Sequence, residues 1–83
     1  MDNIKEEIRQ YILSEALPGE KPSSLLDDTP LTGILDSVST LRLVGFIEER
    51  YGIEVEAYEA GVENFENVDT IVSLIKRKKG SVD

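Results

Sequence analysis

Apolar positions recur along the chain in two kinds of run. Ile4, Ile8, Tyr11 and Ile12 follow helical spacing with charged residues between them, and Asn3 followed by Glu6 resembles a capping box, so the pattern predicts a first helix over about 4–16. The next twenty residues, LPGEKPSSLLDDTPLTGILD, hold all three prolines and two of the six glycines, which predicts a long loop. Leu25, Leu26, Leu31, Ile34 and Leu35 within it are costly to leave in water, so the loop is expected to pack over the helices. Asp36 is a natural N-cap, and 37–51 runs without proline to Gly52, predicting a second helix with Arg50 near its negative end. A short helical turn is expected at 62–66, and Asn67 caps a last helix over 68–79 with a stripe of Val68, Ile71, Val72 and Ile75, ended by Gly80. The β-branched residues of GIEVEAY have no second strand to pair with and are read as loop.

These elements predict one all-α domain over 1–83, a small four-helix bundle of three longer helices and one short one. Eighty-three residues leave no room for a second core.

Composition narrows the chemistry. The chain has no cysteine and no histidine, which removes disulfides, thiolate metal sites and the commonest general base, so an enzyme is not expected. No apolar run approaches the ~20 residues that cross a bilayer, and the N-terminus lacks signal-peptide order, so a cytoplasmic location without membrane insertion is expected. The net charge is −8, with four of nine basic residues gathered in KRKK at 76–79. Residues 1–75 hold sixteen acids and five bases, a body that repels nucleic acid and attracts basic protein surfaces. KRKK itself complements the dipole of the last helix, and nothing basic elsewhere extends it into a nucleic-acid patch.

The second helix has two faces. Leu43, Val44, Ile47 and Tyr51 define an apolar side for the core, while Val38, Leu41 and Gly45 fall with Arg42, Glu48 and Glu49 on another. Spacing alone leaves that second face open between ordinary surface aliphatics and a docking surface with an apolar centre and charged rim. Ser37 stands at the first helical position, where unpaired N–H groups and the helix dipole favour a negative group. As a nucleophile it lacks a neighbouring base.

The run Gly33-Ile34-Leu35-Asp36-Ser37-Val38, continued by Leu43-Val44, Phe46-Ile47-Glu48-Glu49, Tyr51-Gly52-Ile53 and Asn64-Phe65, resembles the acyl carrier and peptidyl carrier protein family over essentially the whole chain. The resemblance implies that Ser37 accepts 4'-phosphopantetheine from coenzyme A by a magnesium-dependent phosphopantetheinyl transferase, and that the arm then carries an acyl or aminoacyl thioester. It implies that Asp36 caps the helix and flanks the attachment site, that Val38 and Leu41 centre the docking face, and that Glu48 and Glu49 form its acidic rim. Phe46, Phe65 and Tyr51 are assigned to the core or its edge. Implied partners are the transferase, an acyl- or aminoacyl-loading ligase or adenylating enzyme, and an acyltransferase or ketosynthase (condensing) enzyme, acting on a monomer.

Three positions depart from the carriers of bacterial fatty acid synthesis: Ser39 and Arg42 stand where acids are usual, and Gly45 where a methionine is usual. They favour a specialised, free-standing carrier of polyketide or nonribosomal peptide biosynthesis over the housekeeping one, with a short cargo held largely outside the core. An unmodified acidic interaction module is the alternative from another class.

Overall fold

The computed structural model describes residues 4–21, 25–61 and 63–80. Among them the chain forms α1 (Ile4–Ala16), α2 (Ser37–Tyr51), a 3-10 turn (Ala57–Ala60) and α3 (Val68–Lys79), with no strand. The three α-helices pack pairwise on one another. The expected Asn3 cap lies outside the described residues.

Each helix buries the stripe its spacing provides. Ile4, Ile8, Ile12 and Leu13 of α1 meet Leu43 and Ile47 of α2 and Val68, Ile71, Val72, Leu74 and Ile75 of α3. The core is wholly apolar, and removing each large aliphatic side chain from water contributes about 1.5–3 kcal/mol. Leu74 joins the anticipated α3 stripe because that stripe is wide: α3 is covered on two sides, by α1 and α2.

The long connection from α1 to α2 does close over the bundle. Leu25 and Leu31 are fully buried, and Ile34 and Leu35 are partly so. Its backbone is tied to the entry of α3 by Leu31 N–H donating to Glu66 O (2.8 Å) and Asp69 N–H to Asp27 O (3.1 Å). Arg9 adds two guanidinium bonds to Leu25 O, at 3.1 and 2.9 Å. Leu26 departs from expectation and stays 56% exposed. It opens a tight turn in which its N–H donates to Thr29 Oγ1 and its carbonyl accepts from Thr29 N–H, and with Leu25 turned inward its neighbour is directed outward.

The fourth helix is also corrected. The short element is a 3-10 turn at Ala57–Ala60, while 63–66 form turns and bends, so the described residues make three α-helices plus one 3-10 turn. Residue 62 lies outside the described residues. Glu59 closes the turn by accepting from Glu56 N–H at 2.9 Å and holding Lys78 of α3 at 2.9 Å. Beyond it, Asn64 and Phe65 both donate to Gly61 O, a tight reversal that sends Phe65 into the core. So short a segment does not repay helix nucleation, and tertiary contacts chose its place.

Candidate functional site

Asp36 and Ser37 meet where the crossover becomes α2. Asp36 has extended backbone, its Oδ1 accepts from Ser39 N–H at 2.7 Å, and its carbonyl accepts the first helical bond from Thr40 N–H at 2.9 Å. These are the marks of an N-cap, which satisfies a donor the helix start would otherwise leave open. The Ser39 N–H, and then the Ser39 hydroxyl, hold the Asp36 carboxyl below its ordinary range. A carboxylate so engaged is a weak base and is turned toward Ser39. Among the described residues no base is hydrogen-bonded to Ser37, which is exposed at the first position of the helix.

From Ser37 an open stripe runs down α2. Val38 is 58% and Leu41 69% exposed, and Arg42, Gly45 and Glu49 are exposed as well. Glu48 is not part of that rim: half-buried, it turns its carboxylate to accept from Val55 N–H at 2.9 Å, holding the segment after Gly52 against the helix. Gly52 is left-handed (φ 66°) and donates to Glu48 O at 3.0 Å, so the chain doubles back where the Glu48 side chain can reach it.

Arg42 leans toward α1, its Nη1 3.5 Å from Glu15. The same flank carries Phe46 stacked on Tyr11, with centroids 4.3 Å apart, and Arg50 paired with Glu7 at 2.6 Å. Tyr51 donates to the other Glu7 oxygen at 2.5 Å; this bond first, and Arg50 second, hold the Glu7 carboxyl below its ordinary range. Burial, then the Glu15 charge, raise the Tyr11 phenol. A cleft of about 600 Å³ opens along this flank between Tyr11, Ser14, Phe46 and Arg50; Ser37 is not in its wall.

Gly45 sits in the helix interior, where glycine costs about 1 kcal/mol relative to alanine. Its φ is not positive, and a Cβ built on it meets nothing within 4 Å. Among the described residues nothing requires a glycine there.

Sequence reading put Asp36 and Ser37 at the start of α2 and Val38, Leu41, Arg42, Gly45, Glu48 and Glu49 on its second face; of those six all are exposed except Glu48, which is half-buried against Val55 N–H. It missed Glu15 and Val55, whose contacts span 27 and seven residues and leave no periodic mark. It also missed Tyr58, an aromatic 81% exposed on the 3-10 turn. In the last turn of α3, Lys78 pairs with Glu59, Arg77 donates to Asn64 Oδ1 at 3.1 Å and Lys79 lies 5.8 Å from the Tyr51 ring centroid, so these cations serve the fold. Among the described residues no cluster of acids is placed to hold a metal ion, and no helix is long and apolar enough to cross a membrane.

No family model and no curated protein matches the chain. It is similar to a chain in a crystal structure described as an FAD-dependent dehydrogenase, with 37% identity and a TM-score of 0.73, over 82% of this chain and 97% of that one. At that identity and coverage the two chains belong to one family of small helical domains.

Proposed function

We propose that this chain is an acyl or aminoacyl carrier protein of the acyl-carrier type, and that Ser37 is the acceptor of 4'-phosphopantetheine. One observation carries the reading: an exposed, unactivated serine hydroxyl at the first turn of α2, beside a capping aspartate and at the head of a stripe of exposed aliphatic side chains. A hydrolytic serine needs a base and a closed site. An acceptor serine needs only to be reached: the phosphopantetheinyl transferase would supply magnesium, coenzyme A and the base that takes the Ser37 proton, and as the Oγ–P bond forms the pyrophosphate bond of coenzyme A breaks and adenosine 3',5'-bisphosphate leaves.

The residues present fit the group. The Ser37 side chain opens to solvent, the adjacent helix start favours the phosphoester's charge, and the neighbouring Asp36 charge is spread onto the Ser39 N–H rather than turned toward Ser37. Once attached, the arm supplies the thiol that the sequence lacks and so the thioester chemistry. The chain's own contribution is to hold Ser37 on a rigid helix and to offer Val38 and Leu41 as apolar contacts. The closed packing of Leu43, Ile47, Ile71, Leu74 and Ile75, each fully buried, favours a short cargo carried outside the core.

Arg42, Gly45 and Ser39 favour a specialised carrier over the housekeeping one, working as a monomer in the cytoplasm with a loading ligase or adenylating enzyme and an acyltransferase or condensing enzyme. The similar crystal structure, described as an FAD-dependent dehydrogenase, suggests a further partner class for this proposal, a flavin-dependent dehydrogenase.

The test is intact-protein mass spectrometry after incubation with coenzyme A, magnesium and a broad-specificity phosphopantetheinyl transferase. A phosphopantetheine mass gain on the wild type and none on Ser37→Ala is expected. No gain on folded wild type, with a control carrier modified in parallel, would make the unmodified interaction module the better reading.

A further inference from the structure

From Gly52 to Gly61 the chain passes from α2 toward α3 without one fully buried residue. Ile53, Val55 and Ala60 rest half-buried against the core, Glu59 is half-buried as well, and the others are exposed. On either side the chain is anchored by burial, at Ile47 of α2 and at Phe65. The stretch between them is therefore held by something other than apolar packing.

Two carboxylates hold it, one reaching out from a helix and one reaching back to a helix. Glu48 of α2 accepts Val55 N–H at 2.9 Å. Glu59 of the 3-10 turn accepts from Lys78 Nζ of α3 at 2.9 Å, with side chains 15% and 25% exposed. The Lys78 bond first, and the Glu56 N–H second, hold the Glu59 carboxyl below its ordinary range, with Arg77 adding its charge from α3; Lys78 is raised chiefly by the bond to Glu59. Asn64 supports the same end, donating to Glu59 O at 3.0 Å while its Oδ1 accepts from Arg77 at 3.1 Å. Such part-exposed polar contacts contribute modestly beside a buried aliphatic side chain.

Both ends of the stretch are able to turn. Gly52 is left-handed (φ 66°), and Gly61 receives the N–H groups of Asn64 and Phe65 in a tight reversal. The stretch also lies beside the candidate site: at about 100° per residue, the eleven residues from Ser37 to Glu48 bring the helix round to within about 20° of the same direction. A movement here changes the surface along the Ser37 flank of α2 and leaves the helices in place.

We propose that residues 53–61 are a strap that opens as one unit while the three helices stay folded, kept closed jointly by the Glu48–Val55 and Glu59–Lys78 latches. The two latches join the strap to different helices, so loosening one loosens the other only if the segment between them moves as a body. The inference does not depend on the carrier reading.

The experiment is amide hydrogen exchange followed by NMR on wild type, Lys78→Met and Glu48→Ala, with and without low urea, accompanied by far-UV circular dichroism. In wild type the Val55 and Glu59 amides are expected to exchange at least about 100-fold faster than those of Ile12, Ile47 and Ile75, and with little dependence on urea, because opening the strap exposes far less surface than unfolding the bundle. Lys78→Met is expected to speed exchange at Val55 about threefold or more although it touches only the other latch, and Glu48→Ala to speed exchange at Glu59 likewise. Folded variants in which each substitution affects only its own latch would overturn the single strap. Strap amides in wild type that exchange with the rate and urea dependence of the core amides would overturn local opening altogether, a comparison that needs no variant to fold.

Discussion

Glu48 and Val55 are joined across the end of α2: the carboxylate accepts the Val55 N–H at 2.9 Å and holds the segment that leads to the 3-10 turn. An acid that the family resemblance assigned to the docking rim thereby becomes a fastener of the fold, while its neighbour Glu49 stays exposed.

Replacing the two acids separates these roles. Glu48→Ala is expected to lower unfolding free energy by about 1 kcal/mol, the ordinary worth of a hydrogen bond whose donor is left without its partner, and Glu48→Gln by less because its amide oxygen still accepts. Glu49→Gln is expected to leave stability within about 0.5 kcal/mol, as surface changes usually do. Urea denaturation of the three variants checks this; equal losses at 48 and 49 would contradict the assignment.

Acid sensitivity is expected to trace in part to Asp36 and Glu7, beside Glu59, which Lys78 also holds below its ordinary range. Both carboxyls are held below their ordinary range, Asp36 chiefly by the Ser39 N–H and Glu7 chiefly by the Tyr51 hydroxyl. A depressed folded-state pKa means that the unfolded chain binds protons first as pH falls. The stabilisation is therefore fully present above the unfolded values, near pH 4, and is lost as pH drops through the folded ones. Tm measured from pH 7 to pH 2 is expected to fall less steeply below pH 4 for Asp36→Asn with Glu7→Gln than for wild type; parallel curves would refute the linkage.

Leu25 tests whether the crossover loop is part of the core. It is fully buried though it belongs to no helix, and its carbonyl is clasped by Arg9 of α1. Leu25→Ala is expected to cost about 2–5 kcal/mol, the range for a buried leucine truncated in a core, while Leu26→Ala, at an exposed position, is expected to cost under about 0.5 kcal/mol. Chemical denaturation of both decides it, and similar losses at the two leucines would show that the loop does not discriminate between them.

The legibility of this protein follows the range of the interactions. The bounds of α1, α2 and α3 were readable because caps and helical periodicity act within a few residues: Asp36 on Ser39, Asn67 on Thr70, and left-handed Gly52 and Gly80 at the ends. The short element, expected at 62–66, lies at Ala57–Ala60, where Glu59 also meets Lys78, nineteen residues away, a contact that leaves no local mark. Leu25 and Leu26 were indistinguishable as letters, and only the turn closed by Thr29 sends one in and the other out.

The candidate site divides in the same way. By itself the sequence determined that a serine follows a capping aspartate at the start of an amphipathic helix, and that no histidine or cysteine accompanies it, because composition and local spacing carry that information. Only the tertiary structure decided which side chains along that helix remain available. Glu48 is drawn to Val55, Arg42 leans on Glu15, and Gly45 faces open space, since side-chain partners are set by which backbone atoms and charges the packed helices bring within hydrogen-bond or ion-pair reach.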